Sequence, residues 1–144
     1  MRQLAKKTVS IGQVFLVPVG AHGFIPGKVL FVESQGVGAI LVALYAAIVR
    51  SKSAPIDLPE NFDRLLYTTP KPILKGRWPS VAIHELRHNE TGLSKRLIGD
   101  SVWIENEKIR IASDEELSTI KSMDVCNISW VEEDSLEIAA KLSE

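Results

Sequence analysis

The sequence predicts an α+β fold, in which a strongly curved, mainly antiparallel sheet (open and barrel-like) is followed by helices toward the C-terminus. Two hairpin patterns and one late helical pattern support this prediction. The first hairpin pattern lies in residues 11–33, the second in residues 101–112, and the helical pattern begins at Ser113. A chain of 144 residues is long enough to bury a core and fits a single domain over residues 1–144.

The first hairpin pattern consists of two strand-forming arms and a glycine-containing turn. Residues 13–17 and 29–32 are rich in Val, Phe and Leu, and they flank Gly20-Ala21-His22-Gly23. Pro18 and Pro26 lie near the inner ends of the arms. Because proline cannot donate to a ladder, we expect both arms to loosen or bulge near the turn.

The next segments alternate between apolar and irregular character. Residues 34–38 indicate a second turn, and residues 39–49 are apolar on every face, so a helix and a buried strand both fit. We prefer a strand, because consecutive antiparallel strands pair through short connections. Four prolines interrupt residues 50–77, which leaves residues 61–69 as a short helical turn or an edge strand. Residues 78–86 are typical of a strand.

The second hairpin pattern follows a predicted loop at residues 94–99. Its arms in residues 101–112 alternate apolar and polar side chains around a polar turn. We expect four apolar side chains to face one another across an Asn106-Glu107 turn: Val102 and Ile104 on one arm, Ile109 and Ile111 on the other.

The last third of the chain turns helical. Ser113 and Glu116 form a capping-box pattern, which predicts a helix to about Met123 that buries Leu117, Ile120 and Met123. A strand over residues 125–131 and a final helix from Glu132 should follow. We expect three apolar positions on that last helix, Ile138 and Leu142 on one stripe with Leu136 beside it. The tryptophans Trp78, Trp103 and Trp130 are interpreted as core aromatics.

Charge is distributed unevenly along a chain whose net charge is −1. Residues 1–99 hold 13 Lys and Arg against 6 Asp and Glu, whereas residues 100–144 hold 4 against 12. Either the protein has two faces of opposite potential, or the two parts lie side by side and partly neutralise each other. The near-zero total makes nucleic acid an unfavourable partner. Lys71, Lys75 and Arg77 near Trp78 fit a solvated loop better than a nucleic-acid site.

Composition also bears on the compartment. Cys126 is the only cysteine, which excludes an internal disulfide and a cysteine-based metal site, and its apolar surroundings indicate a small core residue. Residues 1–12 lack the apolar segment of a signal peptide. The most apolar run, residues 37–49, is shorter than the roughly 20 residues that span a bilayer. We therefore expect a cytoplasmic protein with no membrane partner.

The most distinctive chemical motif is His84-Glu85-Leu86-Arg87-His88, which matches H-E-x-x-H. In zinc peptidases two such histidines lie on one helix face and the glutamate acts as general base. Here Pro79 precedes the motif and Gly92 follows it, so a helix of several turns is not favoured. Thr91 stands where the extended motif requires Gly, so that extension fails. A zinc-dependent hydrolase is therefore the alternative hypothesis, and we assign no catalytic residue, metal ligand or cofactor.

Four segments resemble the bacterial immunity protein 26 family of polymorphic toxin systems. Ile11-Gly12-Gln13-Val14-Phe15-Leu16-Val17-Pro18 and Gly27-Lys28-Val29-Leu30 are similar to the family's "V-F-x-I-P" and "G-R-V-L" strands, with Lys28 where Arg is frequent. Trp78-Pro79-Ser80-Val81-Ala82-Ile83 resembles its tryptophan strand, and Ile111-Ala112-Ser113 its closing part. The resemblance places the His84 segment in a strand.

The resemblance implies a non-catalytic protein that binds and neutralises a cognate protein toxin. Such a protein needs a rigid face complementary to its partner, and an acidic face suits a basic nuclease toxin. The candidate acidic face comprises Asp114, Glu115, Glu116, Glu132, Glu133 and Asp134. Acids in the first turn of a helix are equally explained by the helix dipole. The loop at residues 55–75 is a second candidate surface, and a role in small-ligand binding stays open.

Overall fold

The structure, a computed structural model, describes residues 8–33, 38–53 and 55–144 and confirms the α+β prediction. The described strands are β1 (Gln13–Pro18), β2 (Phe24–Val32), β3 (Ile40–Leu44), β4 (Arg64–Thr68), β5 (Ser80–Ile83), β6 (Arg96–Ile98), β7 (Ser101–Ile104), β8 (Glu107–Ile111) and β9 (Val125–Cys126). The described α-helices are α1 (Lys71–Leu74), α2 (Asp114–Thr119) and α3 (Ile128–Leu142). Among the described residues, no helix combines the length and the apolar character needed to cross a membrane.

The strands form two sheets. The larger has the order β5-β1-β2-β3-β4-β9, and all its neighbours are antiparallel except β4 and β9. It is open, with β5 and β9 at its edges. The smaller sheet has the order β6-β7-β8 and is antiparallel throughout. The mainly antiparallel arrangement thus agrees with the sequence prediction.

The first hairpin forms as predicted, with a 3-10 turn at Gly20–His22 between β1 and β2. The expected loosening at its prolines is wrong, because the β1–β2 register runs without a shift from Val14 to Pro18. Pro18 is the last residue of its strand. The Pro26 carbonyl oxygen accepts a hydrogen bond from the Tyr45 amide, 3.0 Å away, just beyond the end of β3. The β1–β2 ladder therefore runs through Pro26 and ends at Pro18.

Both faces of the larger sheet are buried at its strands β1, β2 and β3. On one face the side chains of Phe15, Val42 and Leu44 pack with Trp78 and with α3. The rings of Phe15 and Trp78 stack with their centroids 5.6 Å apart. On the other face Leu41 and Tyr45 pack under residues 56–62 and 81–93. The core role predicted for Trp78 is therefore confirmed.

Several predicted elements are present but shorter. The apolar run at residues 39–49 contains β3, and residues 78–86 contain β5. Residues 61–69 contain β4 and not a helical turn. The predicted turn at residues 34–38 falls mostly outside the described residues. The predicted loop at residues 94–99 is wrong, because β6 pairs there with β7.

The second hairpin turns one residue earlier than predicted. Glu105 and Asn106 form the turn, and Glu105 has a left-handed backbone with φ 54°. The register pairs Val102 with Arg110 and Ile104 with Glu107, so the expected apolar pairs do not face each other. A register shift between Val102 and Trp103 separates the two halves of the ladder.

The C-terminal elements differ most from the prediction. Helix α2 has the predicted Ser113–Glu116 capping box but ends at Thr119 and buries no side chain, so Leu117 is exposed. The strand predicted over residues 125–131 ends at Cys126, because the Asn127 side chain accepts from the Trp130 amide (2.8 Å) and caps α3 there. Trp130 is consequently a helical residue, 56% exposed, and not a core aromatic.

Candidate functional site

The H-E-x-x-H segment does not form the helix that its zinc chemistry requires. Strand β5 ends at Ile83, residues 84–87 belong to no helix or strand, and a 3-10 turn begins at His88. The His84 amide donates to the Gly12 carbonyl oxygen at 2.8 Å, as in a continuing strand pair. The two imidazoles therefore do not project from one helix face. Among the described residues no group of three or more His, Cys, Asp or Glu is placed to hold a metal ion.

The same segment instead holds a buried ionic cluster. Lys28 Nζ donates to Glu90 Oε1 at 2.6 Å and to the Glu85 carbonyl oxygen at 2.9 Å. The Tyr45 hydroxyl and the Arg87 amide also donate to the Glu90 carboxylate. Burial opposes ionisation of Glu90, but hydrogen bonds from the Arg87 amide, Lys28 and Tyr45 outweigh it and lower its pKa.

Arg87 connects this cluster to the irregular loop. Its guanidinium donates to the carbonyl oxygens of Leu58 (2.9 Å) and Pro59. The Asn89 side chain adds a 3.2 Å hydrogen bond to the Glu60 carbonyl oxygen. Because these are contacts to main-chain carbonyls, they fix the path of residues 58–60 across the sheet. The segment at 84–90 is thus a structural junction.

A second buried ion pair joins the two sheets. Arg96 on β6 contacts Glu33 just after β2, with Nη2 and Oε2 3.0 Å apart. Its guanidinium also lies 5.1 Å from the centre of the Phe31 ring and 5.8 Å from that of Tyr67. Neither buried pair was foreseen from the sequence. One sequence feature could have indicated the first pair: Lys28 is the one charged residue in the apolar segment of β2.

A cleft of about 600 Å³ opens beside Arg96, and we call it the β4–α3 cleft. It lies where β4, the chain entering β6, residues 121–127 and the start of α3 meet. Its apolar lining consists of Leu41, Leu65, Leu66, Leu93, Val125 and Trp130. Its polar lining consists of Tyr67, Lys95, Arg96, Lys121, Ser122, Asp124, Cys126 and Asn127.

A second feature is a set of exposed apolar side chains on the smaller sheet and α2, namely Ile98, Ile104, Ile109, Ile111 and Leu117. We call the pair Ile98 and Ile111 the isoleucine surface. Every residue of β8 is exposed, and β8 is an edge strand. The register pairs Ser101 with both Ile98 and Ile111, which places these two isoleucines on one face of the sheet.

The predicted acidic face is divided between paired and unpaired carboxylates. Glu116 pairs with Arg110, Glu132 with Arg77 at 2.7 Å, and Asp134 with Arg64 at 3.2 Å. These three carboxylates therefore stabilise the fold itself. Those of Asp114, Glu115 and Glu133 are exposed and form no ion pair within the described part of the chain.

Comparisons of the chain with models of protein families, with curated proteins and with solved structures gave no match.

Proposed function

We propose that this chain is a non-catalytic, immunity-type protein that binds and neutralises a cognate bacterial toxin in the cytoplasm. Two features support the proposal. Three of the four segments that resemble the immunity protein 26 family lie in or next to the hairpin β1–β2 and the adjoining β5. The observation that carries the proposal is the isoleucine surface, which combines exposed apolar side chains with an edge strand.

Exposed apolar side chains scattered singly need no explanation, but a clustered set is typical of a protein–protein contact. Here Ile98 on β6 and Ile111 on β8 lie on the same face of the smaller sheet, on either side of Ser101. Ile111 is 66% exposed and lies on β8, whose outer edge pairs with no strand among the described residues. An edge strand of this kind can also accept a partner's strand.

The charge around the isoleucine surface favours a basic partner. Residues 100–119 hold six acids and two bases. Asp114 and Glu115 lie in the first turn of α2 and are exposed. Acidic charge around an apolar centre accelerates association with a basic protein and disfavours acidic ones. A toxin that itself binds nucleic acid has a basic surface of this type.

The proposal is tested with the protein encoded by the reading frame adjacent to this one. The two proteins are co-expressed in a bacterial host for growth rescue, and their purified forms are titrated calorimetrically. We expect rescue and a stable complex. Ile111→Lys and Glu115→Lys should each weaken the complex by about tenfold or more, the size of an interface hot-spot contact.

Two matched variants control for general effects of the substitutions. Ile83→Lys changes an isoleucine that is 70% exposed on β5, and Glu144→Lys changes an exposed acid at the end of the chain. Neither residue belongs to the isoleucine surface, so both variants should bind like the parent protein. Absence of a complex, or equal losses in the control variants, would overturn the proposal.

A further inference from the structure

The β4–α3 cleft is separate from the isoleucine surface, because no residue lines both. Its volume of about 600 Å³ lies within the range of about 300–1,000 Å³ that small-molecule sites occupy. Such sites combine a mainly apolar lining with a few polar groups that orient the ligand. The cleft combines six apolar residues with eight polar or charged ones, so it offers both kinds of contact.

The charges that line the cleft favour a negatively charged ligand. Lys95 and Lys121 are exposed, and neither side chain makes an ion pair with any described residue. Asp124 opposes them with one negative charge, while Arg96 is neutralised by Glu33. The first turn of the 15-residue helix α3 also borders the cleft through Trp130 and adds partial positive charge.

The apolar lining favours a flat hydrophobic body. Trp130 is more than half exposed although it borders a cleft lined by leucines, which leaves its indole ring accessible to a second ring. Aromatic rings pack favourably on one another in an offset arrangement, beyond the gain from burying their area. Trp130, Leu65 and Leu93 thus provide the apolar contacts, and Lys95 and Lys121 provide the polar ones.

We propose that the β4–α3 cleft binds a small aromatic carboxylate, with its ring against Trp130 and its carboxylate toward Lys95 and Lys121. This site goes beyond the proposed toxin binding. It is tested on the chain alone, so its failure would leave the toxin proposal unchanged.

The test titrates the full-length ¹⁵N-labelled protein with 2-naphthoate and, in parallel, with the uncharged analogue 2-naphthamide. Binding is followed by amide chemical shifts and Trp fluorescence. We expect saturable binding of 2-naphthoate with the largest shifts in residues 121–130. The Lys95→Met/Lys121→Met variant should lose about tenfold in affinity for 2-naphthoate, the value of a charge-assisted hydrogen bond, and little for 2-naphthamide. Trp130→Leu should weaken the binding of both compounds.

Lys75→Met is the matched control, because Lys75 is also exposed but does not line the cleft. It should bind both compounds like the parent protein. Three results would overturn the proposal. The first is no saturable binding at millimolar 2-naphthoate, and the second is that the largest amide chemical shifts lie outside the cleft. The third is an unchanged affinity for 2-naphthoate in the double lysine variant. All of the altered residues are exposed, so these variants should fold.

Discussion

The ring of Phe15 fills the space that a side chain at Gly27 would occupy. The two residues face each other across the β1–β2 ladder, and a Cβ built on Gly27 would lie 2.7 Å from Phe15 Cε2. The chain leading into β5 brings Trp78 onto the same ring. Phe15, Gly27 and Trp78, which come from three separate segments of the chain, therefore form one packing unit. Their pattern stabilises the fold, whatever the protein binds.

Gly27→Ala should therefore destabilise the protein. The added methyl group must displace the Phe15 ring, which is fully buried between the sheet and Trp78. Overpacking of this kind costs about 1–3 kcal/mol in the free energy of unfolding. Chemical denaturation monitored by Trp fluorescence measures the loss.

A double-mutant cycle with Phe15→Leu tests whether the clash is the cause. Phe15→Leu alone should destabilise by opening a cavity, but it removes the ring atoms that the methyl group of the Gly27→Ala variant meets. Gly27→Ala should then cost less in the Phe15→Leu background than in the parent protein, so that the two losses are not additive. Additive losses would refute the proposed contact.

Lys28 should be among the most sensitive positions in the chain. Its ammonium group is almost completely buried against Glu90. Lys28→Met leaves an uncompensated buried carboxylate, and we expect a loss of about 3–5 kcal/mol in unfolding free energy. The Lys28→Met/Glu90→Gln double variant should recover part of this loss, because it removes the stranded charge. Lys75→Met, on the surface, should unfold like the parent protein.

The interactions of Glu116 with Arg110 and Ser113 should make the free energy of unfolding depend on pH in the acid range. Hydrogen bonds from Arg110 and then from the Ser113 amide lower the pKa of Glu116 from 4.5 to about 2. Because the folded-state pKa is lowered, this contribution is complete above pH 4.5 and is lost as the pH falls toward 2. Arg110→Met should raise the pKa of Glu116 and flatten the pH dependence of unfolding in this window. Carboxyl NMR titration of both proteins provides the measurement, and an unchanged pKa in the variant would contradict the pairing.

The elements that were predicted correctly are those in which the local sequence preference and the tertiary packing favour the same structure. The Ser113–Glu116 capping box formed as expected because both bonds are local, between residues three apart. The β1–β2 hairpin formed because two apolar arms bury a common surface. The predicted start of the final helix was wrong, since the Asn127 cap competes with the strand pattern of residues 125–131.

The candidate surfaces depended on tertiary arrangement and were harder to predict. Trp130 is an aromatic residue of the kind that usually packs in a core. Because α3 begins as early as Ile128, Trp130 is instead an exposed helical residue that borders the cleft. Lys95 and Lys121 are distant in sequence but line the same cleft, because β6 forms hydrogen bonds with residues 121–123. Half of the predicted acidic face proved to be paired within the protein, a distinction that sequence charge cannot make.

The extended backbone at His84 predicts that the H-E-x-x-H motif holds no stoichiometric zinc. Two imidazoles that do not share a helix face lack the geometry of the zinc peptidase site. We expect that dialysis against zinc followed by metal analysis gives the same low content for the parent protein, His84→Ala and His88→Ala. His22→Ala is the matched control, since His22 contacts Ser143 at the end of α3, far along the chain from the motif. Zinc that is retained by His22→Ala and lost by both motif variants would instead restore the hydrolase hypothesis, because only a ligand pair at residues 84 and 88 could produce that pattern.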